Sequence, residues 1–461
     1  MNLVRALRFD EVESMAFVGA GGKTTTMFQL ARQLIPPVLV TTTTHIGTWQ
    51  VKLADRHLIV DTDSQLELIE EQMKGVVLIT GPLSGGEKMT GLNNRQLEHI
   101  HKFAQSTQTP LLIEADGSRQ RPIKAPGSSE PVIPEFVDAV VVVVGLSALD
   151  QNLTETWVHR PNRFAQITGL SRGDRITLDS LVKMLTHPGG GLKDIPDNAR
   201  SIALLTQVRT QNLQAKGKRL AQHLLPIYQS VILTSLADND KLNNIDDKND
   251  NQQSGIDIQK IVVFAVLERV AGIVLAAGGS VRLGEPKQLL LWQGKPFIEK
   301  VVSIARESGL WPILVVTGAY RDQIEPVIKS LAVQEVHNVD WESGQSTSIR
   351  AGLEVLPQDV GAVVFLLVDQ PQVRPRLVQN LVECHTSSLA PVVAPQINGQ
   401  RGNPVLFDRS TFSDLMNLKG DNGGRALFPK YSPSLVNWGD QSILYDVDTF
   451  DDYYSLISRC K

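Results

Sequence analysis

Residues 271–287 read AGIVLAAGGSVRLGEPK. An apolar run ends at Leu275, and the small residues after it allow the main chain to approach a base and a triphosphate closely. Arg282 and Lys287 add two cations that suit phosphate oxygens, and we expect them to act in catalysis. The residues expected to contact the nucleotide in this loop are Leu275, Ala276, Ala277, Gly278, Gly279 and Ser280.

Three further stretches are expected to complete this site. VVFLLVDQPQV ends an apolar strand at Asp369, the first choice as a ligand for Mg²⁺. WESGQSTSIRAGL offers Gly344, Ser346 and Ser348 for the base or ribose, although serines before a helix are equally often caps. In YDVDTFDDY, either Asp446 or Asp448 is a second candidate metal ligand, with a helix start as the alternative.

A different glycine-rich loop lies near the N-terminus, between an apolar strand and a helical segment. Glycines and Lys23 at a helix start favour phosphate binding, and Thr24 can reach Mg²⁺. The standard phosphate loop has a glycine where this chain has Phe17, and a purely structural turn is the alternative. The residues predicted to bind nucleotide here are Gly19, Gly21, Gly22, Lys23, Thr24 and Thr25.

Polar residues follow other strands of this N-terminal half. PLLIEADGSRQRPIKAP ends a strand at Glu114 and Asp116, and either carboxylate is a candidate Mg²⁺ ligand. Thr41–Thr44 with His45 can face phosphate or simply suit a strand. His159 and Arg160 form a further polar pair, which alone indicates only a surface loop.

Alternating apolar runs and helical stretches predict an α/β fold for both halves of the 461-residue chain. We expect a P-loop-like domain at 1–236, a polar linker at 237–259, and a Rossmann-like nucleotidyltransferase domain at 260–461. The apolar run IVVFAV and the run AGIVLAAGG are expected to be separate strands.

Composition narrows the class of protein. A formal charge of -4 provides no global field for nucleic acid, and no apolar run approaches the length of a membrane span. Cys384 and Cys460 form no C-x-x-C pair, which fits a reducing cytosol. We therefore expect a cytoplasmic enzyme without an export signal.

The C-terminal segments together resemble molybdenum cofactor cytidylyltransferases over about residues 271–455. LAAGGSVRLGEPK, the Asp369-Gln-Pro turn, NGQRGNPVLF and LKGDNGGRALF occur in the family order. The Ala276-Ala277 pair resembles the cytidylyl rather than the guanylyl version, and Asn403 replaces a histidine common in the family. The resemblance implies transfer of CMP from MgCTP to molybdopterin with release of pyrophosphate.

The N-terminal segments FVGAGGKTT, VLVTTTTHI, IEADGSRQRPIKAP and VVGLSALDQNLTETWVHRP resemble the selenium-dependent hydroxylase accessory proteins over roughly residues 10–235. The resemblance implies an association with molybdenum hydroxylase maturation, with such a hydroxylase as the candidate client, and it implies no particular reaction. The nucleotide expected at the N-terminal phosphate loop is ATP or GTP. Where that family tends to carry an Asn-Lys-x-Asp-like element, this chain has Thr206, Gln207 and Arg209.

Two other functions remain compatible with these residues. One is a cytidylyl- or uridylyltransferase for a sugar or polyol phosphate, which uses a similar loop and metal. The other is a nucleotide-gated chaperone or carrier in which the C-terminal half mainly holds cofactor. Product analysis distinguishes them, whereas the sequence leaves open the N-terminal reaction, the client, the role of selenium and the oligomeric state.

Overall fold

The computed structural model describes residues 1–237 and 260–458, which fall into two compact units, Met1–Leu267 and Glu268–Lys461. Both units alternate strands with helices, so the chain is a mixed α/β protein rich in parallel strands. Apart from Ala237, the predicted linker at 237–259 lies outside the described residues.

A parallel sheet organises the first unit. The strands of this unit are β1 (Ser14–Gly19), β2 (Val38–Thr42), β3 (Ile46–Gly47), β4 (Arg56–Ile59), β5 (Val76–Thr80), β6 (Leu83–Ser84), β7 (Lys88–Met89), β8 (Leu111–Glu114), β9 (Ile123–Lys124), β10 (Ala139–Gly145), β11 (Val158–His159), β12 (Arg200–Thr206) and β13 (Ser230–Leu236). Eight of them form the sheet in the order β13, β12, β10, β1, β8, β2, β5, β4, and the other strands are short. Every residue of β10 is buried, as expected for a strand covered on both faces.

Helices connect these strands, and the first unit's core lies between them and the sheet. They are α1 (Leu3–Ala6), α2 (Lys23–Gln33), α3 (Ile69–Gln72), α4 (Asn94–Thr107), α5 (Pro161–Thr168), α6 (Leu178–Thr186) and α7 (Gln211–Leu224). Because β1 lies between β8 and β10, the glycine-rich loop after β1 meets the carboxyl ends of both neighbours.

A mixed sheet organises the second unit. The sheet consists of β14 (Ile261–Leu275, whose first residues belong to the first unit), β17 (Ile313–Thr317), β18 (Gln334–His337), β19 (Val360–Leu367), β20 (Val392–Ile397), β21 (Gln400–Arg401), β22 (Val405–Asp408) and β23 (Ser434–Asn437). Two short strands, β15 (Leu291–Trp292) and β16 (Lys295–Pro296), form a separate antiparallel pair. Central β14 pairs in parallel with β17 and β19, and β22 adds to β19 in the antiparallel sense.

The chain order creates a switch point beside β14. The helices are α8 (Phe297–Glu307), α9 (Arg321–Ser330), α10 (Gln345–Glu354), α11 (Pro375–Ser388), α12 (Phe412–Met416) and α13 (Phe450–Ser458). The chain leaves β14 through α8 toward β17 and β18, then returns through α10 to β19 on the other side of β14. Ligands bind at such points, where the loop after Leu275 and the turn at Asp369 lie.

The boundary between the units differs from the predicted one. IVVFAV and the AGIVL part of AGIVLAAGG lie in one strand, β14, rather than in two. Ala265 belongs to the first unit's core and Val270 to the second unit's, so the division follows Leu267 instead of residue 260. The polar residues in the middle of β14 are accommodated because Arg269 forms an ion pair with Asp359.

Two further observations concern membrane spans and cysteines. No helix in the described ranges is long and apolar enough to cross a membrane. Cys384 is a free thiol, and Cys460 lies outside the described residues.

A fragment beginning at Glu268 should fold by itself, because it keeps the part of β14 that pairs with both β17 and β19. We expect a cooperative urea transition with an unfolding free energy of roughly 5 kcal/mol or more, followed by tryptophan fluorescence. A matched fragment beginning at Ala276 lacks the central strand and should remain unfolded. A non-cooperative transition for the longer fragment would place the boundary elsewhere.

Candidate functional site

A buried glutamine hydrogen-bonds to the backbone of the glycine-rich loop in the second unit. Gln288 is fully buried, and its Nε2 donates to the carbonyls of Ala276 and Gly278 at 2.8 and 3.0 Å. The Ser280 hydroxyl accepts from the Lys287 backbone N–H at 3.2 Å, closing the loop. The loop therefore holds its shape without a ligand, and Gln288 is a supporting residue that sequence reasoning missed.

Lys287 lies between two carboxylates at the switch point. Its Nζ donates to Asp369 at 2.9 Å and to Asp448 at 2.8 Å, while Arg282 donates to the other oxygen of Asp448 at 3.0 Å. Burial lowers the pKa of Lys287, but the charges of Asp369 and Asp448 outweigh burial and raise it above its usual value. The structure thus brings together the predicted residues Arg282, Lys287, Asp369 and Asp448, with Lys287 charged.

The contacts separate the two aspartates that the sequence left as alternatives. Asp446 accepts from Gln370 Nε2 at 2.7 Å instead of approaching Lys287. Its pKa is raised, first by burial and then by the negative charges of Asp369 and Asp448. Asp448 is therefore the aspartate that joins the cations, while Asp446 is held apart by Gln370.

These carboxylates suit a hard divalent cation. Asp369 Oδ1 is buried and has no hydrogen-bond partner in the described part of the chain. Within that part, no three His, Cys, Asp or Glu side chains converge as a metal-binding group. Mg²⁺ is commonly held by only one or two carboxylates together with water and substrate phosphates, so Asp369 and Asp448 fit such an ion.

The predicted serine contacts to the nucleotide differ in their surroundings. Ser346 and Ser348 are both buried on α10, directly after Gly344. The Ser348 hydroxyl accepts from Asn338 Nδ2 at 3.0 Å, whereas the Ser346 hydroxyl has no hydrogen-bond partner among the described residues. Their contact with a base or ribose remains a prediction.

Trp341 is a second residue that the sequence did not single out. A Cβ placed on Gly279 would lie 3.1 Å from the Trp341 ring, so the indole packs directly against the loop. A larger residue at Gly279 would displace it. Its aromatic character alone carries no such signal, because a tryptophan in a sequence is as often part of a core.

In the first unit, the backbone passes closely over the N-terminal glycine-rich loop. Gly21 has φ +88°, and a Cβ there would lie 2.7 Å from the carbonyl oxygen of Pro122. Thr206 and Gln207 both donate to the Gly21 carbonyl, at 2.6 and 3.3 Å. This chain departs from the accessory-family pattern at Thr206 and Gln207, and both residues hydrogen-bond to the loop directly.

Lys23 is buried, with only 3% of its surface exposed, and is held by the loop and two carboxylates. Its Nζ donates to the Gly19 carbonyl at 2.9 Å and lies 3.1 Å from Asp116 and 3.7 Å from Glu114. Burial lowers its pKa, but Asp116 and Glu114 outweigh this and raise it. Lys23 is therefore a charged group at the start of α2.

Glu114 and Asp116 have different environments. Glu114 accepts from the Thr24 hydroxyl at 2.8 Å, which pairs the two predicted Mg²⁺ contacts of this unit. Asp116 instead accepts from the Gly19 N–H at 2.9 Å and from Lys124 at 2.8 Å. Thr24 is therefore paired with Glu114 and the loop backbone with Asp116, while the metal roles of both carboxylates stay predictions.

A chain of ion pairs continues from Asp116 across the unit. Lys124, whose side chain is fully buried, binds both Asp116 and Glu130, at 2.8 and 2.7 Å, and Arg160 binds Glu130 at 3.0 Å. Burial raises the pKa of Glu130, but Lys124 and Arg160 lower it below its usual value. Sequence reasoning missed Lys124 and Glu130.

Thr25 and His45 line the same cavity as Lys23, together with Thr24 and Thr44. Thr41 and Thr42 do not, because their hydroxyls donate to the carbonyls of Ile79 and Glu114 inside the sheet. The threonine run is therefore divided between the strand and the cavity.

Two family models match this chain. The YqeC protein family matches residues 15–162, and the MobA-like NTP transferase domain family matches residues 272–434. Uncharacterized protein YqeC of Escherichia coli is 33% identical over 201 residues, which cover 41% of this chain and 73% of that protein.

Relatives with other names also match. A probable molybdenum cofactor guanylyltransferase of Bacillus cereus is 31% identical over 141 residues, covering 30% of this chain and 68% of that protein. Nicotine blue oxidoreductase of Paenarthrobacter nicotinovorans is 27% identical over 198 residues, covering 41% and 96%. The crystal structure of Rv0371c from Mycobacterium tuberculosis aligns with a TM-score of 0.38 and 27% identity, covering 41% and 98%.

Replacing Lys124 with Met should destabilise the first unit by about 3 kcal/mol, because Asp116 and Glu130 would remain buried without their shared cation. Lys183→Met is the control, since that lysine forms an exposed pair with Asp179 and should change stability by less than about 0.5 kcal/mol. The stability of both variants is measured as the urea midpoint at which residues 111–125 lose protection, followed by hydrogen-exchange mass spectrometry. Equal midpoints would show that the ion-pair chain contributes nothing.

Proposed function

Because the chain belongs to the YqeC family in its N-terminal part and to the MobA-like NTP transferase family in its C-terminal part, we propose that it is a molybdenum cofactor cytidylyltransferase fused to a nucleotide-binding accessory unit. The observation that carries the proposal is Lys287, held charged between Asp369 and Asp448 beside the glycine-rich loop. This arrangement offers cations for a triphosphate and carboxylates for Mg²⁺ at one point.

The proposed reaction joins two phosphates. An oxygen of the terminal phosphate of molybdopterin attacks the α-phosphorus of CTP, and the bond from that phosphorus to the β-phosphate oxygen breaks, so that pyrophosphate leaves with the bonding electrons. A phosphate monoester is already anionic and needs no strong base. Catalysis therefore rests on positioning and on neutralising charge.

The chain's own cations supply that neutralisation. Lys287 and Arg282 exchange their carboxylate partners for phosphate oxygens when the triphosphate enters the loop. Mg²⁺ held by Asp369 and Asp448 would add further positive charge at the triphosphate. The rigid loop over Gln288 orients the nucleotide.

CTP is the proposed nucleotide because Ala276 and Ala277 resemble the cytidylyl version of the loop. The guanylyltransferase name of a relative at 31% identity makes GTP the main competitor. Another relative is named an oxidoreductase, so electron transfer is a third possible activity. The carboxylates and cations beside the loop suit phosphate chemistry rather than electron transfer.

For the first unit, we propose a P-loop-like site for ATP or GTP and Mg²⁺. The support is Lys23 at the start of α2 and the hydrogen bond from Thr24 to Glu114. A role in preparing or delivering cofactor to a molybdenum hydroxylase, inside the cytoplasm, completes the proposal.

Lys287→Ala should reduce transfer at least about 100-fold while the protein stays folded, because a positioned cation is lost from the transition state. The assay incubates protein, Mg²⁺ and molybdopterin with each nucleoside triphosphate separately and detects the dinucleotide by mass. The control, Lys295→Ala, removes an exposed lysine paired with Glu299. A guanine dinucleotide product would identify GTP rather than CTP as the substrate. Failure to form a dinucleotide with any of the nucleoside triphosphates would refute the proposal.

Lys23→Ala should abolish nucleotide binding by the first unit and leave transfer to free molybdopterin nearly unchanged, because each unit has its own loop and its own core. Equilibrium binding of a labelled ATP or GTP analogue to the full chain measures the first effect. Loss of transfer in this variant would show that the two sites are coupled.

A further inference from the structure

The cavity above Lys23 is larger than one nucleotide phosphate site requires. Its volume is about 1060 Å³, at the upper end of the range for single small-molecule sites. It extends from the glycine-rich loop to the segment Gly117–Pro122 and to Arg209. Its charged lining is mostly basic and consists of Lys23, Lys88, Arg119, Arg121, Arg160, Arg209, Glu114 and Glu130.

The basic side is attached to the same framework as the glycine-rich loop. The Pro122 carbonyl accepts from the Gly145 N–H at 2.8 Å and lies against Gly21, which fixes the position of Arg121 beside that loop. β9 and β11 pair in parallel, with His159 opposite Lys124. Arg121 and His159 are thus carried by ordered backbone on the cavity wall.

Four residues of this wall have left-handed backbone. Arg119, Gln120, Arg160 and Gln207 have φ of 49°, 58°, 63° and 63°. Non-glycine residues in this region cost free energy, and they persist where surrounding structure enforces them, often at functional sites. All four line the same cavity.

Positive charge on this side is incompletely compensated. Arg160 pairs with Glu130, whereas Arg119, Arg121 and Arg209 have no carboxylate within salt-bridge distance among the described residues. Burial first, then the charges of Arg160, Lys124 and Arg119, lower the pKa of His159 to about 4, against a smaller opposing effect of Glu130. His159 is consequently neutral at pH 7, in a positive potential that favours an anion.

We propose that Arg119, Arg121 and His159 form a binding site for a second ligand, a phosphate monoester, which occupies the cavity together with the nucleotide. Arginine guanidinium groups bind phosphate through paired hydrogen bonds, and a neutral imidazole adds a donor or an acceptor. The inference goes beyond the proposed nucleotide site, because it gives the first unit a second substrate. It does not depend on which nucleotide that site holds.

Inorganic phosphate is the probe, titrated into the full chain by calorimetry with and without a saturating non-hydrolysable ATP analogue and Mg²⁺. We expect one phosphate to bind when the analogue fills the nucleotide site, whereas without the analogue phosphate can also enter the empty glycine-rich loop. The double variant R119Q/R121Q should weaken phosphate at least about tenfold while changing affinity for the analogue less than about twofold. The control R172Q removes an exposed arginine, paired with Glu155 and outside the cavity lining, and should behave as wild type.

His159 gives an independent readout by NMR of histidine-labelled protein. Bound phosphate should raise its pKa by about one unit or more, since an anion stabilises the imidazolium. An unchanged pKa at saturating phosphate would overturn the assignment of His159.

Other outcomes separate this inference from the nucleotide site. If the analogue excludes phosphate and the double variant loses the analogue, the arginines belong to the nucleotide's own phosphates and the inference is wrong. Phosphate affinity that is equal in the double variant and wild type would likewise refute it. If no nucleotide binds at all, the proposed nucleotide site fails, while phosphate binding to the free protein still tests this one.

Discussion

In each unit, a charged lysine is held between two carboxylates at the carboxyl edge of a parallel sheet. Lys23 lies with Glu114 and Asp116, and Lys287 with Asp369 and Asp448. The sheet brings these groups together, because adjacent parallel strands deliver the loop and the acid to the same edge. The pairing keeps an otherwise costly buried cation charged before any ligand arrives.

The two lysine clusters differ in what surrounds them. Lys23 is almost fully buried. Asp116 also forms an ion pair with Lys124, which pairs in turn with Glu130, so the first site is part of an extended chain of ion pairs. Lys287 is more accessible and shares Asp448 with the exposed Arg282. The second site can therefore rearrange with fewer buried contacts to break, which suits turnover of a triphosphate.

Local patterns in the sequence predicted the loops and the strand-end acids well. Both loops follow apolar strands, and Asp369 and Glu114 lie at strand ends as expected. The motifs indicated an N-terminal accessory-type domain and a C-terminal nucleotidyltransferase-type domain, and the family matches at 15–162 and 272–434 confirm this pair.

What the sequence did not predict depends on contacts between distant segments. The pairing of β9 with β11 brings Lys124 close to Arg160, both of which bind Glu130, and no local pattern encodes that pairing. Choosing Asp448 over Asp446 required the contact with Lys287, which is 161 residues away in sequence. The sequence boundary followed the polar composition of residues 237–259, whereas the division between the units lies inside β14, a strand whose membership in two cores no composition shift marks.

If the second site works as proposed, the ion pairs of Lys287 with Asp369 and Asp448 couple metal binding to nucleotide binding there. In the proposed reaction, Lys287 leaves Asp369 and Asp448 when it turns to a phosphate. Burial first, and then the negative charges of Asp369 and Asp448, already raise the pKa of the nearby Asp446. A divalent cation beside Asp369 Oδ1 would restore the balance that the lysine removed. By linkage, any gain in nucleotide affinity from the metal equals the gain in metal affinity from the nucleotide. In this proposal, the exchange of the carboxylate partners of Lys287 for phosphate oxygens makes the affinities for the metal and for the triphosphate depend on each other.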